Sequence, residues 1–390
     1  SSDANVSKAG AILADISLPN ASFEEVLRSL LLTDEEDIPY APVDFKALSV
    51  RELGTIYEGL LETELSFAEQ DLTIDKKGTY IPAGETDSVV ISAGEIYLHD
   101  RSGARKSSGS YYTPDFAVDH LLDGALEPAL DEHLERMKGL SDAERTKQFY
   151  DFRVADIAMG SGHFLVAAID RIEQRFALWL EDNPITGIKL ELEYLREAAK
   201  KGLGELADTV MIENGQLLRR MVARRCIFGV DLNAITVQVA QLSIWIHTFV
   251  PGLPLLLLEH KLVHGNALVG VGSLEEIRRK FDEGSGTLFE VDADNLLGQA
   301  AEVSRKLAQL SDASVKDIET GRTLIEEIKQ KTLETKALFD LITAQPVSND
   351  PHLKGYQFED WEQLKGEVQY SDALRLAREI LDPLMAMHFP

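Results

Sequence analysis

Several things are scarce in this sequence, and each scarcity excludes a class of protein. One cysteine, Cys226, stands among 390 residues, so no internal disulfide can form and a reducing cytoplasm is the expected setting. The longest apolar run lies near Leu253 to Leu258, far short of the roughly 20 residues a membrane-spanning helix needs. The opening SSDANVSKAG has no basic stretch leading into an apolar run, so no secretory signal is visible. No internal repeat and no low-complexity tract occurs. Positive charge is scarce too: 39 Lys and Arg face 66 Asp and Glu, a net charge of −27. Taken alone, this argues against a chain that holds nucleic acid electrostatically, which usually shows a basic surplus or a basic face. The rest of the composition is ordinary, with 44% apolar and 27% charged residues. It leaves enough hydrophobic side chain for a sizeable core in one large domain or two to three smaller ones.

The charge is unevenly placed. Residues 1 to 100 hold 20 Asp and Glu against 6 Lys and Arg, which is 14 of the 27 net negative charges. This quarter reads as a separate acidic module, residues 1–106. Phe23, Val26, Leu27, Leu30 and Leu31 fall on one helical face, with Ser22 as a plausible cap, and an acidic loop TDEEDIPYAP follows. Leu53, Ile56, Tyr57, Leu60 and Leu61 have helical spacing, and alternation between Leu72 and Leu98 predicts two or three short strands.

From residue 107 apolar strand-like runs alternate with amphipathic helices. Strands are expected at Phe152 to Ala158, Cys226 to Asp231 and Leu262 to Leu268, with helices from about Ser161 and Asn233. That order is the pattern of a doubly wound parallel sheet. The 75 residues between Asp156 and Asp231 far exceed the spacing of about 20 residues in a minimal unit, which predicts one or two extra helices around 188 to 220. Residues 272 to 345 read as a helical hairpin, with Leu296, Ala300, Val303, Leu307 and Leu310 on one side before a break at SDAS. A last helix is expected from Trp361 to Leu384.

The strongest chemical signal is Ala155-Asp156-Ile157-Ala158-Met159-Gly160-Ser161-Gly162-His163-Phe164-Leu165. A strand runs into a small-residue turn and then a helix with Leu165, Ala168, Ile169, Ile172 and Phe176 on its apolar face. Glycines at 160 and 162 let backbone approach a ligand, and the free N–H groups of a helix start suit a carboxylate or phosphate. Leu165 stands where a dinucleotide fingerprint needs its third glycine, which counts against nicotinamide or flavin. The plain alternative is a tight turn without a ligand. Asp231 ends the next strand, where a carboxylate can accept from both ribose hydroxyls of a nucleoside; capping the following helix is the alternative, a task Asn233 could share. Asn266 ends the third strand, where an amide suits the ring nitrogen and exocyclic amine of adenine, although Asn in a turn is commonplace. Upstream, in Gly109-Ser110-Tyr111-Tyr112-Thr113-Pro114-Asp115-Phe116, Thr113 reads as an N-cap, Pro114 as the first helical residue, and Phe116, Leu121 and Leu122 as the start of an apolar face.

The ordered motifs GSYYTP, ADIAMGSGHFL, FGVDLN and HGNAL resemble the amino-terminal half of the gamma-class adenine-N6 DNA methyltransferases, in particular the large enzymes of restriction-modification and BREX-type phage-defence systems. The segment Leu53 to Leu61 resembles one that precedes the methylase core in those proteins, so the likeness covers roughly residues 50 to 270. It implies an α/β fold, an incomplete Rossmann-like S-adenosylmethionine-dependent methyltransferase sheet over 107–270, with an N-terminal α+β module before it and a helical insertion over 271–390. It implies S-adenosylmethionine as cofactor, lined by Tyr112, Thr113, Pro114, Asp156, Ala158, Gly160, Ser161, Gly162, Phe164, Asp231, Leu232, Asn266 and Ala267. Many relatives have Pro where Ile157 stands and Asp where Asn266 stands. It also implies methyl transfer to adenine N6 in double-stranded DNA by a full-length protein, with restriction or defence subunits as partners and no membrane role.

The family's catalytic tetrapeptide, Asn or Asp, Pro, Pro, then Tyr or Phe, is absent. Asp182-Asn183-Pro184-Ile185 lacks the second proline and the aromatic and reads as a helix-ending turn. Catalytic residues are therefore expected beyond Pro390, and weak or no DNA binding is expected of this chain alone. Arg219, Arg220, Arg224 and Arg225 could touch DNA phosphates, but such a cluster more often pairs with local acids. Arg101, Arg105, Lys106, Ser107 and Ser108 form a basic approach to GSYYTP, either a solvated loop or a phosphate contact. His163 and His264 flank the candidate loops, yet no spacing suggests a metal. Two rival readings stay open: an assembly module with a vestigial pocket, and a methyltransferase acting on protein or a small molecule.

Overall fold

The computed structural model describes residues 19–35, 38–42, 63–75, 80–84, 87–100, 113–269, 288–351, 375–377 and 380–381. These fall into two units, residues 1–49 and 50–390. In the first, helix α1 (Asn20–Leu31) leads into an antiparallel hairpin of β1 (Leu32–Glu35) and β2 (Ile38–Pro42). The hairpin corrects the expected acidic loop: Leu32, Thr33, Ile38 and Tyr40 are strand formers on either side of a short connection. Ser22 is likewise no cap, because α1 starts behind Pro19, with Ser22 inside its first turn. Phe23, Val26, Leu27 and Leu31 are exposed.

The second unit opens with two antiparallel pairs. β3 (Thr63–Phe67) pairs with β6 (Ile96–Asp100), and β4 (Leu72–Ile74) with β5 (Tyr80–Pro82). Three of these strands lie where alternation placed them; β3, with its TELSF sequence, lies outside that stretch. The helical spacing at Leu53 to Leu61 and the approach at 101–112 fall outside the described residues.

The core begins with α2 (Asp115–Leu121), which passes through one π turn (Leu122–Leu126) into α3 (Glu127–Lys138). After α4 (Asp142–Gln148) comes a parallel sheet of order β7–β8–β9: Val154–Asp156, Ile227–Asp231 and Leu262–His264. β7 and β9 are shorter than their apolar runs because polar turns cut them off, and β8 lacks only Cys226, which ends the helix before it. Asp156 accepts the Ala158 N–H just past β7, and Asn266 accepts two N–H groups just past β9. Between β7 and β8 run α5 (His163–Asp182), α6 (Thr186–Leu203) and α7 (Asn214–Cys226), which supply the extra helices that the long spacing demanded. Leu165, Ala168, Ile169, Ile172 and Phe176, the face marked by helical spacing, are buried with Phe149, Leu195 and Leu217. Asn183 caps the end of α5, so Asp182-Asn183-Pro184 is a helix-ending turn.

Helix α8 (Ala234–His247) joins β8 to β9, and Asn233 caps it by accepting the Ile235 N–H. Beyond the core, α9 (Leu288–Gln309) and α10 (Val315–Ala344) pack together as the expected hairpin, with Ala300, Val303 and Leu307 buried. Of the expected last helix, the described residues 375–377 and 380–381 are helical. No described helix is long and apolar enough to cross a membrane.

Candidate cofactor site

Parallel strands deliver all their carboxyl ends to one edge, and here that edge collects the acidic and glycine residues. Past Asp156 the chain turns tightly. The Met159 N–H donates to Val230 O at 3.1 Å, and the Gly160 N–H donates to the Asp231 carboxylate at 2.9 Å. The loop after β7 is thus tied to the tip of β8. Gly160 has φ +54° and Gly162 φ +86°, both in the left-handed region that favours glycine. The two glycines differ in what surrounds them. A Cβ on Gly160 would meet nothing within 4 Å, whereas one on Gly162 would lie 3.2 Å from the Ala240 Cβ. Gly160 therefore faces open space, and Gly162 lets α5 seat against α8. Gly229, inside β8, is also forced by packing: a Cβ there would lie 2.2 Å from the Met159 sulfur, with Leu165 and Leu262 close behind.

The carboxylates differ in their partners. Asp231 accepts from Gly160 and, at 2.8 Å, from the Asn233 N–H. A carboxylate offers about four acceptor positions, so two remain for a ligand. Among the described residues, Asp156 accepts only the Ala158 N–H, at 3.0 Å. Burial raises its carboxyl from the ordinary value; the Ala158 bond opposes that shift and the nearby Asp231 charge adds to it. A half-buried carboxylate beside a second one favours a ligand that brings positive charge. The first turn of α5 has no side-chain cap, so its N–H groups are offered to the same space.

At β9, His264 Nε2 donates to Leu232 O at 2.7 Å and the Gly265 N–H donates to Asp231 O at 2.9 Å, which join the second and third tips. The Asn266 amide oxygen accepts from the Leu268 N–H at 2.8 Å and the Val269 N–H at 3.1 Å. Its oxygen serves the turn, and its NH2 is what it can offer a ligand. Ala158 and Ala267 are exposed, Ser161, Phe164 and Leu232 partly so.

Upstream, Pro114 occupies the N-cap of α2, with no side-chain cap bond, so Thr113 lies one residue before the cap instead of in it. Proline's preset φ and missing N–H make it a serviceable last residue before the helix. Phe116 and Leu121 are exposed, 76% and 53%; the buried side of this helix is Val118 and Leu122. Tyr112 lies outside the described residues. Thr113 and Pro114 are brought beside the glycine loop by a contact between the Asp115 carboxylate and His163 Nε2, 3.2 Å apart, the first residues of α2 and α5. Motif reading missed this link; an acid and a histidine, each just inside a helix start, were its only trace.

The four arginines of α7 face inward. Arg219 meets Asp170 and Glu173, Arg225 pairs with Glu191, and Arg224 Nε lies 3.0 Å from Asp312. Arg220 donates to the carbonyls of Pro254 and Asp312. They bind the fold together and are not presented to phosphates. Among the described residues, no group of three or more His, Cys, Asp or Glu is placed to hold a metal.

No known family profile and no solved structure matches the chain. It is similar to a protein of Methanocaldococcus jannaschii named "Putative type II restriction enzyme and methyltransferase", 26% identical over 168 residues that cover 36% of this chain. The matched stretch spans 12% of that protein's length. Over about a third of its length, then, the chain is similar to a methyltransferase of the restriction-modification kind.

Proposed function

We propose that residues 107–270 bind S-adenosylmethionine in a Rossmann-like methyltransferase core, and that a longer protein containing this chain transfers a methyl group to adenine N6 in double-stranded DNA. The observation that carries the reading is the bond from the Gly160 N–H to Asp231. It joins the glycine loop of the first strand to the acid of the second in one cradle, beside an uncapped helix start.

The residues fit the cofactor's chemistry. Asp231 has acceptor positions to spare for two ribose hydroxyls, and Asn266 has an NH2 to offer a purine nitrogen. Asp156, strained by burial and by its neighbour's charge, is relieved by a positively charged ligand. The helix start beside Gly162 suits the ligand's carboxylate. Bound S-adenosylmethionine supplies an activated methyl group on sulfur. This chain's task is to hold and orient that group, with Phe164 and Pro114 as apolar walls. The DNA-modifying role draws its support from the restriction-modification relative and the motif order, and the acid excess favours weak DNA binding by this chain alone.

Calorimetric titration of the folded chain with S-adenosylmethionine tests the pocket: one site per chain is expected, and no heat at millimolar ligand overturns it. Methyl transfer by the longer protein, followed by nucleoside analysis, tests the acceptor. N6-methyladenine is expected; label in protein or a small molecule favours those rival substrates.

A further inference from the structure

One helix carries acids at every fourth position, Asp115, Asp119, Asp123, Glu127 and Asp131, running from α2 through the π turn into α3. All five meet α5. Asp115 meets His163; Asp119, Asp123 and Glu127 meet Arg171 at 3.4, 2.7 and 3.1 Å; Glu127 meets Arg175 at 2.9 Å, and Asp131 also pairs with Arg175. A regular helix cannot do this. At 3.6 residues per turn a fourfold stripe drifts by about 40° a step, or about 160° from the first acid to the fifth. The π turn adds about one residue to the winding and takes back about 100° of that drift. The Glu127 N–H, bonded five residues back to Leu122 O, marks the place. The irregular turn therefore exists where it brings both halves of the stripe onto one partner helix.

We infer that this ladder is a positioning latch for the cofactor site: Arg171 and Arg175 hold the helix that Thr113 and Pro114 lead into against the helix that starts at the glycine loop. This rests on the cofactor reading above. The acids other than Glu127 are largely exposed, with side-chain exposures of 62–66%. The latch is thus accessible to salt, and it is a network where single surface pairs would contribute little. The hydrophobic contact beneath it, through Val118, Leu122 and Leu126, keeps the helices together when the charges are screened.

The test compares wild type with Arg171→Gln/Arg175→Gln. The variant should bind S-adenosylmethionine about tenfold more weakly. Amide exchange in 115–121 should quicken while that of α5 stays slow. A charge-inverted set, Arg171→Glu/Arg175→Glu with Asp123→Lys/Glu127→Lys, should recover affinity. A second measurement needs no variant: the affinity of neutral adenosine for wild type should fall with ionic strength, which separates the latch from screening of the cofactor's own charge. Unchanged affinity in the variant, salt-independent adenosine binding, or loss of exchange protection throughout the core would each overturn the latch. A wild-type chain that binds neither ligand overturns the cofactor reading itself, and the latch with it.

Discussion

The two ends of the three-stranded sheet are built from the same strands and have opposite chemistry. Where the strands begin, charge is buried and answered. The Arg225 guanidinium sits 4.8 Å over the Tyr150 ring and pairs with Glu191; the Lys261 ammonium sits 3.8 Å over Phe228; Arg224 meets Asp312, both nearly inaccessible. Cys226 is enclosed there too, and burial pushes its thiol up to about 12, where it is unreactive. Where the strands end, Asp156 and Asp231 keep acceptor capacity, Gly160 faces open space, and the start of α5 is uncapped. Charge at the first end is structural because removing one partner strands the other. Charge at the second end is available because its backbone partners leave it unfilled.

If that contrast is right, substitutions should separate stability from binding. The largest effect belongs to Asp312→Ala, which leaves Arg224 and Arg220 facing each other without their carboxylate. Breaking a buried pair costs about 3–5 kcal/mol, read by urea unfolding, while the folded fraction keeps its cofactor affinity. Asp231→Ala should reverse the pattern. Losing two hydrogen bonds to a charged acceptor, at about 1.5 kcal/mol each, weakens S-adenosylmethionine binding by roughly a hundredfold, with a smaller change in unfolding.

Titration sharpens the same contrast. The Asp156 carboxyl is raised in the free protein, and a positively charged ligand favours its ionised form, so binding releases a proton. Affinity should be full above that raised value and decline as pH falls through it, at a higher pH than for an unshifted Asp; calorimetry of Asp156→Asn should lose the decline. At the other end, burial lowers Lys261 to about 8 from 10.5 and His260 to about 4 from 6.5. Between each pair of values the unfolded chain binds the extra proton, so stability rises with pH from 8 to 10.5 and is lost as pH falls from 6.5 toward 4. Lys261→Met should abolish the alkaline rise in urea midpoints.

Much of this architecture is legible in the sequence, for identifiable reasons. The apolar run that stops at Asp231 marks a strand end, since a carboxylate cannot continue into a core, whereas the run from Phe152 to Ala158 carries on past Asp156, where the strand ends. The buried face of α5 follows from spacing alone, and the long gap before Asp231 had to hold helices. Other features depend on distant partners. Gly160 and Gly162 look alike in the motif, yet one faces space and the other faces Ala240. Asp312, buried at φ +51°, lies in a break between helices and has meaning only against Arg224. Phe116 reads as the start of an apolar face but lies outward, because the π turn and the Arg171 ladder fix which side of that helix meets α5.

The most direct test is thermal unfolding of wild type, Asp231→Ala and Asp312→Ala, each with and without saturating S-adenosylmethionine. A ligand that binds only the folded form must raise the midpoint. A rise is expected for wild type, a much smaller rise for Asp231→Ala, whose affinity is roughly a hundredfold weaker, and a preserved rise for Asp312→Ala from a much lower midpoint. An undiminished rise in Asp231→Ala would contradict this.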